Sequence, residues 1–172
     1  PVDKDGGRQV DWIELYNGSL TSFPLGSSNH EWRLRAVSAG VGDRAVTNEY
    51  KFPLTAFFLR GSHLLVFCST NVHSELGSYY TGWKLSGDGG TLSLINDGGT
   101  EVDRVVYSAQ QPNVSFSRYR DGLPAFVFNP FPSPGEANPV NGRSEPAAKF
   151  SGVDPATFQP GQPIRFFATV RD

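Results

Sequence analysis

The sequence predicts an all-β fold, a sandwich or a barrel of short strands, and both its composition and its residue pattern support this fold class. The chain has 19 Gly and 13 Pro among its 172 residues, which provides for many turns. It has 13 Phe, 6 Tyr and 3 Trp, residues that favour strands and supply aromatic area for a core. No window of helical period with capping residues reaches about ten residues. Apolar residues instead recur with period two or in short runs between clusters of Gly, Asn, Asp and Pro.

The strand pattern recurs along the whole chain. In chain order the predicted strands are VDWIELYN, EWRLRAVS, NEYKFPL, HLLVFCST, GWKLSG, TLSLIND, EVDRVVYSA, VSFSRY and PIRFFATVRD. Each is short and is followed by turn residues, which is typical of antiparallel sheets rather than of strands that alternate with helices.

The first strong strand, DWIELYN, places its side chains alternately on two faces. We expect Ile13 and Leu15 to face the core, with Trp12 and Tyr16 covering an end or the opposite face. Glu14 is then expected to meet solvent or to pair with an arginine on a neighbouring strand.

Two central features follow further along the chain. Residues 64 to 68, LLVFC, are apolar on both faces of a strand, which predicts a central strand that is buried on both faces. Cys68, the single cysteine, is then a small buried hydrophobe and not a disulfide partner. Residues 96 to 99, NDGG, predict a hairpin turn between two strand-like runs.

The composition changes after PSPGEANP, where the chain becomes polar. This change predicts a linker over residues 140–162, followed by a strand over 163–172 in which apolar and polar residues alternate. Nothing follows this strand to pair with it, so it completes the first sheet, opens a further domain or pairs with another chain. Because the sequence contains no Met, we expect it to be a processed product or a piece of a longer protein.

Charge and hydropathy narrow the choice of partners. The chain has 15 Lys and Arg and 17 Asp and Glu, which gives a formal net charge of -2. It contains no run of basic residues of the kind that binds a phosphate backbone, so binding to nucleic acid is not predicted. No apolar run approaches the roughly 18 to 20 residues of a membrane span.

Tests for metal sites are negative at the sequence level. His63, Cys68 and His73 are spaced by five residues, and odd spacing on a strand turns side chains to opposite faces, so no zinc site is predicted. We interpret both histidines as residues at strand ends in solvent. Asp3 and Asp5 form a D-x-D-G pattern that we interpret as a turn, with calcium binding as the alternative. We therefore expect no cofactor and assign no metal-binding or cofactor-binding residues.

No catalytic residue is assigned either. A glycoside hydrolase needs a pair of carboxylates in a cleft, and Glu14, Glu31, Glu49 and Asp103 are candidates among which the sequence selects no pair. Cys68 lacks the half-exposed, electropositive setting of a reactive thiolate.

Binding surfaces are harder to place from the sequence. In SFSRYRDG, Tyr119 stands between Arg118 and Arg120 and is the most plausible exposed platform for a polysaccharide, although solvated arginines at a strand end explain the same pattern. Asn17 and Asn113 each begin a glycosylation sequon, to which we give little weight. In a sandwich, binding is expected in the loops at 18–30 and 38–49 or at the edge strands.

The ordered phrases of the chain resemble one known family. They are DWIELYN, EWRLRAV, EYKFP, LRGSHLLVFCST, the long run from TGWKLSG to SFSRYRDG, and PSPGEAN. Taken in this order over about residues 1 to 139, they resemble the lamin tail domain in its bacterial form. Ser117 stands where the family pattern has Gly, and Trp83 where it has Phe.

The resemblance implies an immunoglobulin-like β-sandwich over 1–139 with no catalytic centre. It also implies an accessory module of a bacterial secreted or cell-surface protein that contacts neighbouring domains or subunits. Residues 163–172 then resemble the first strand of a further immunoglobulin-like domain. The alternatives are a self-assembling surface or filament subunit that uses this strand for β-strand addition and, less favoured, a carbohydrate-binding or carbohydrate-active domain.

Overall fold

A computed structural model describes residues 10–39, 45–71, 78–139, 149–154 and 165–169, the last two ranges by their backbone alone. Every regular element within these ranges is a β-strand, which confirms the all-β prediction. The described residues include no helix with the length and apolar character needed to cross a membrane.

The described strands are mostly short. They are β1 (Asp11–Tyr16), β2 (Phe23–Pro24), β3 (Gly26–Ser27), β4 (His30–Glu31), β5 (Arg33–Ala39), β6 (Ala45–Lys51), β7 (Phe57–Phe58), β8 (His63–Cys68), β9 (Tyr79–Tyr80), β10 (Gly90–Ile95), β11 (Glu101–Tyr107), β12 (Ser115–Arg118), β13 (Phe126–Asn129), β14 (Lys149–Asp154) and β15 (Arg165–Thr169).

Two larger sheets and four two-stranded sheets contain these strands. The three-stranded sheet has the order β1-β8-β9, with β1 antiparallel and β9 parallel to β8. The four-stranded sheet has the order β11-β10-β5-β6 and is antiparallel throughout. The remaining pairs are β2-β7, β3-β4, β12-β13 and β14-β15. Consequently β1 and β11 are each the outer strand of a larger sheet.

The core draws on both larger sheets. Ile13 of β1, Val66 of β8 and Leu34 of β5 are almost fully buried in one cluster. Leu15 is partly buried and packs against that cluster, so the prediction that Ile13 and Leu15 face the core is confirmed. The other buried members of the cluster are Leu25, Phe52, Ala56, Phe58, Leu64 and Cys68. Removal of this apolar area from water is the main force that favours the folded state.

Strand β8 is central in its sheet, as predicted, but only one of its faces is fully buried. Leu64, Val66 and Cys68 are buried, whereas Leu65 and Phe67 on the other face are half-buried. The sequence could not predict this difference in burial, because the side chains of residues 64 to 68 are apolar on both faces of the strand.

The hairpin predicted at NDGG joins β10 to β11. Gly99 has a positive φ of 80°, and the Asn96 side chain accepts a hydrogen bond from the Thr100 amide at 2.8 Å. These two features close the loop and confirm the hairpin.

Two local predictions were wrong. GWKLSG forms no strand, because Gly82 has a φ of 80° and the Thr81 hydroxyl bonds the backbone of Trp83, which bends the chain there. Strand β13 was not predicted, since its short run FVFN lies between prolines and resembles loop sequence.

The strand predicted over 163–172 is not isolated. Its described part, β15, pairs antiparallel with β14, which lies inside the segment predicted as a linker. The linker prediction rested on the polar composition after PSPGEANP. KFSGVD shows no regular alternation because Gly152 interrupts it, and the register shifts between Phe150 and Gly152. The division of the chain into domains stays a prediction.

Candidate functional site

A cleft of about 1310 Å³ lies beside the first strand. One wall is β1, another is formed by β10 and β11 with the turn before β10, and a third is formed by the segment from 110 to 138 with β12 and β13. The cleft is therefore lined by one outer strand from each of the two larger sheets, β1 and β11, together with the inner strand β10. The sequence left three places open for a binding surface, the loops at 18–30 and 38–49 and the edge strands, and that choice stays a prediction.

Glu14 lies on the cleft wall and accepts a hydrogen bond from the Gly135 amide at 2.6 Å. Gly135 has a φ of 84° and follows Pro134, and the Glu136 amide donates to the Ser133 carbonyl at 3.0 Å, which together define a type II turn. Such a turn directs the Gly135 amide outward, where the carboxylate receives it. The expectation that Glu14 meets solvent or an arginine was therefore wrong.

Burial raises the pKa of the Glu14 carboxyl above its ordinary value. The hydrogen bond from Gly135 and the nearby His63 act in the opposite direction, but burial has the larger effect.

His63 forms the second polar link across the cleft. Its Nε2 lies 2.9 Å from Oδ2 of Asp121, and Oδ1 of Asp121 accepts a hydrogen bond from the Asn138 side chain at 2.9 Å. The side chains of His63 and Asp121 are only 10% and 15% exposed. His63 had been interpreted as a solvated residue at a strand end, and that interpretation was wrong.

The register of β1 and β8 explains why these groups lie together. Tyr16 is opposite His63, and their ring centroids are 5.0 Å apart. Glu14 lies two residues before Tyr16 and therefore on the same face of β1. The turn at 120–123 and the turn around Gly135 each bring one partner to this face.

The predicted platform around Tyr119 does not form as expected. Arg118 donates to both oxygens of Asp103 at 2.6 and 2.7 Å, donates to the Leu123 carbonyl, and lies 4.6 Å from the centroid of Phe126. A guanidinium held in this way is not available to stack on a ligand. Tyr119 is half-buried, and Arg120 is exposed.

The four candidate carboxylates divide into two groups. Glu14 and Asp103 both line the cleft. Glu49 pairs with Arg35 at 2.7 Å across β5 and β6, and Glu31 pairs with Lys51, so both lie in surface ion pairs away from the cleft.

Cys68 lies in the core, as predicted. It is 2% exposed, and burial raises the pKa of its thiol to about 12, so it does not form a reactive thiolate at neutral pH. Within the described ranges, no three His, Cys, Asp or Glu side chains are arranged to hold a metal ion. His73, Asp3 and Asp5 lie outside those ranges.

The two sequons differ sharply in their surroundings. Asn17 is 3% exposed, and its amide nitrogen donates to the carbonyls of Thr21 and Phe58 at 3.1 and 3.0 Å. Asn113 is exposed in a turn with a φ of 62°. In the folded chain Asn17 is therefore a structural residue.

The sequence did not single out Asp121, Gly135 and Asn138, although all three carry the cleft's polar contacts. A usable signal was present, because Gly135 and Asn138 belong to the phrase PSPGEAN and Asp121 to SFSRYRDG. Chemically, the arrangement holds chain segments together. The hydrogen bond of Glu14 and the contact of Asp121 with His63 join the cleft face of β1 and β8 to the segment that covers it, and the bonds between Asp121 and Asn138 close that segment on itself.

No protein-family model matches the chain, and a search of curated proteins finds no match.

Proposed function

We propose that the chain is a non-enzymatic, immunoglobulin-like β-sandwich module of a larger bacterial protein that is secreted or displayed at the cell surface. Its resemblance to the lamin tail domain supports this proposal. So does the shared core, since Ile13 and Val66 of one sheet pack in the same cluster as Leu34 of the other, which is how two sheets of a sandwich bury their inner faces.

One observation carries the non-enzymatic part of the proposal. The half-buried titratable groups at the cleft bind other parts of the chain: Glu14 accepts a hydrogen bond from the Gly135 amide, and Asp121 contacts both His63 and Asn138. These contacts link four phrases of the resemblance, namely DWIELYN, LRGSHLLVFCST, SFSRYRDG and PSPGEAN. A general acid or base must reach the substrate to transfer a proton, whereas the side chains of these residues already make hydrogen bonds or ion pairs within the protein.

The test is a search for hydrolysis by the full chain. We expect no release of reducing ends from a panel of soluble polysaccharides at acidic, neutral or basic pH. Release that disappears in a folded Glu14→Gln or His63→Gln variant would show that the cleft is an active site and overturn the proposal.

Self-assembly is a second candidate function, favoured by the outer strands. Within the described residues β1 and β11 each pair with one neighbour in their sheets, and such strands accept a further strand through their backbone groups. Light scattering of the full chain over a range of concentrations decides this question. A species that stays monomeric at high concentration would exclude the self-assembling subunit, while concentration-dependent oligomers would favour it.

A further inference from the structure

Exposed aromatic rings line the cleft at two places. Tyr16 is 40% exposed and Phe131 is 53% exposed, and both belong to the cleft wall. The flat faces of such rings stack well on the apolar C–H faces of sugar rings.

Planar polar side chains stand in the same cleft. Gln111 and Asn113 are exposed and line it, and each amide offers both a donor and an acceptor to a pair of hydroxyl groups. A wall that combines rings with amides matches a ligand that presents apolar faces and hydroxyl edges.

The charges of the cleft disfavour polyanions. Among the described residues that line it, Arg118 is the one Lys or Arg, and it is already paired with Asp103. Asp11 and Glu14 add negative charge to the same wall. A nucleic acid or an acidic polysaccharide would therefore meet repulsion there.

The size of the cleft favours a chain over a small metabolite. Pockets for small molecules hold about 300 to 1,000 Å³, and this cleft, at about 1310 Å³, exceeds that range.

We infer that this cleft binds a neutral polysaccharide chain, with Tyr16 and Phe131 stacking on sugar rings and with Gln111 and Asn113 bonding their hydroxyl groups. The inference rests on the proposed function, because it gives the binding module a ligand class and assumes that the ligand is held and not cleaved.

The experiment is affinity electrophoresis of the full chain in native gels that contain hydroxyethyl cellulose, mannan or soluble starch. We expect at least one of these polymers to retard the protein. Phe131→Ala should weaken that binding by at least about tenfold, because it removes a stacking ring. Gln111→Ala should also weaken it, and since Gln111 is exposed this second variant keeps the test valid if the first folds poorly.

The matched control is Phe57→Ala. Phe57 is 51% exposed, close to the value for Phe131, but it lies on β7 and not in the cleft. Retardation that Phe57→Ala weakens as strongly as Phe131→Ala would overturn the inference, as would the absence of retardation by all three polymers.

Two further outcomes separate this inference from the proposed function. Binding of a lysine-rich peptide without binding of any neutral polymer would assign the cleft to basic segments and overturn the inference. Release of reducing ends from a bound polymer would overturn the non-enzymatic proposal while leaving polysaccharide binding in place.

Discussion

Glu14 contributes to the fold through its hydrogen bond to the Gly135 amide. Glu14→Gln keeps a side-chain oxygen that can accept this bond, whereas Glu14→Ala removes it. We expect Glu14→Ala to lower the free energy of unfolding by about 1 kcal/mol and Glu14→Gln to lower it by less. Denaturant titration of the two variants measures the difference. Equal losses in both variants would show that the charge of Glu14, and not its hydrogen bond, supplies the stability.

The raised pKa of Glu14 predicts a pH dependence. Because the folded pKa lies above the unfolded one, the stability that this group contributes is fully present below the unfolded pKa and is lost as the pH rises through the folded pKa. We therefore expect Glu14→Gln to gain stability relative to the unsubstituted chain as the pH rises from about 4 to about 7. Denaturant midpoints at several pH values check this. A constant difference across the range would contradict it.

Ser117 presents the opposite situation, a buried hydroxyl with no hydrogen-bond partner among the described residues. It lies within β12 opposite Val127 and forms part of a regular strand. Ser117→Ala removes a polar group that is buried without compensation, so we expect stability to be unchanged or higher by up to about 1 kcal/mol. Thermal unfolding tests this, with Thr81→Val as the control that removes a bonded hydroxyl and should destabilise.

At the scale of elements, the strand β3 depends on close backbone approach. A Cβ atom built on Gly26 would overlap the carbonyl oxygen of Pro53, whereas one built on Gly87 would meet nothing within 4 Å. We expect Gly26→Ala to destabilise the chain by more than about 2 kcal/mol, and Gly87→Ala to have little effect. Circular dichroism melts of both variants measure the contrast, and similar melting of the two would show that β3 shifts readily.

The elements also show where sequence patterns succeed. The β10-β11 hairpin could be predicted because its turn residues, NDGG, readily adopt the positive φ values that hairpin turns require. The strand predicted at GWKLSG does not form. The Thr81 hydroxyl donates to the Trp83 carbonyl and accepts from the Trp83 amide, and Gly82 has a positive φ, so the chain bends there despite the apolar spacing. The partner of β15 was missed because Gly152 interrupts the alternation of β14. Local chemistry therefore predicts turns better than it predicts strands with irregular register.

At the scale of the whole molecule, Asp121 fixes the segment that covers β1 and β8. It bonds His63 on one side and Asn138 on the other. Asp121→Ala should therefore speed amide hydrogen exchange in peptides that span 130–139 while leaving the β10-β11 hairpin protected, because only the cover is released. Mass spectrometry of exchange measures both regions. Asp88→Ala, an exposed turn substitution, is the control, and unchanged exchange over 130–139 in Asp121→Ala would contradict the assignment.

The sequence by itself determined the features that depend on near neighbours. Strand period gave the all-β class, turn residues gave the hairpin, and the alternation of DWIELYN placed Ile13 and Leu15 toward the core. Only the tertiary structure decided the role of Glu14, because Gly135 lies 121 residues away, and the role of His63, because Asp121 lies 58 residues away. Such contacts depend on which sheet edges and turns meet in space. A short-range pattern shows that a carboxylate stands on a strand face, but not which backbone amide will reach it.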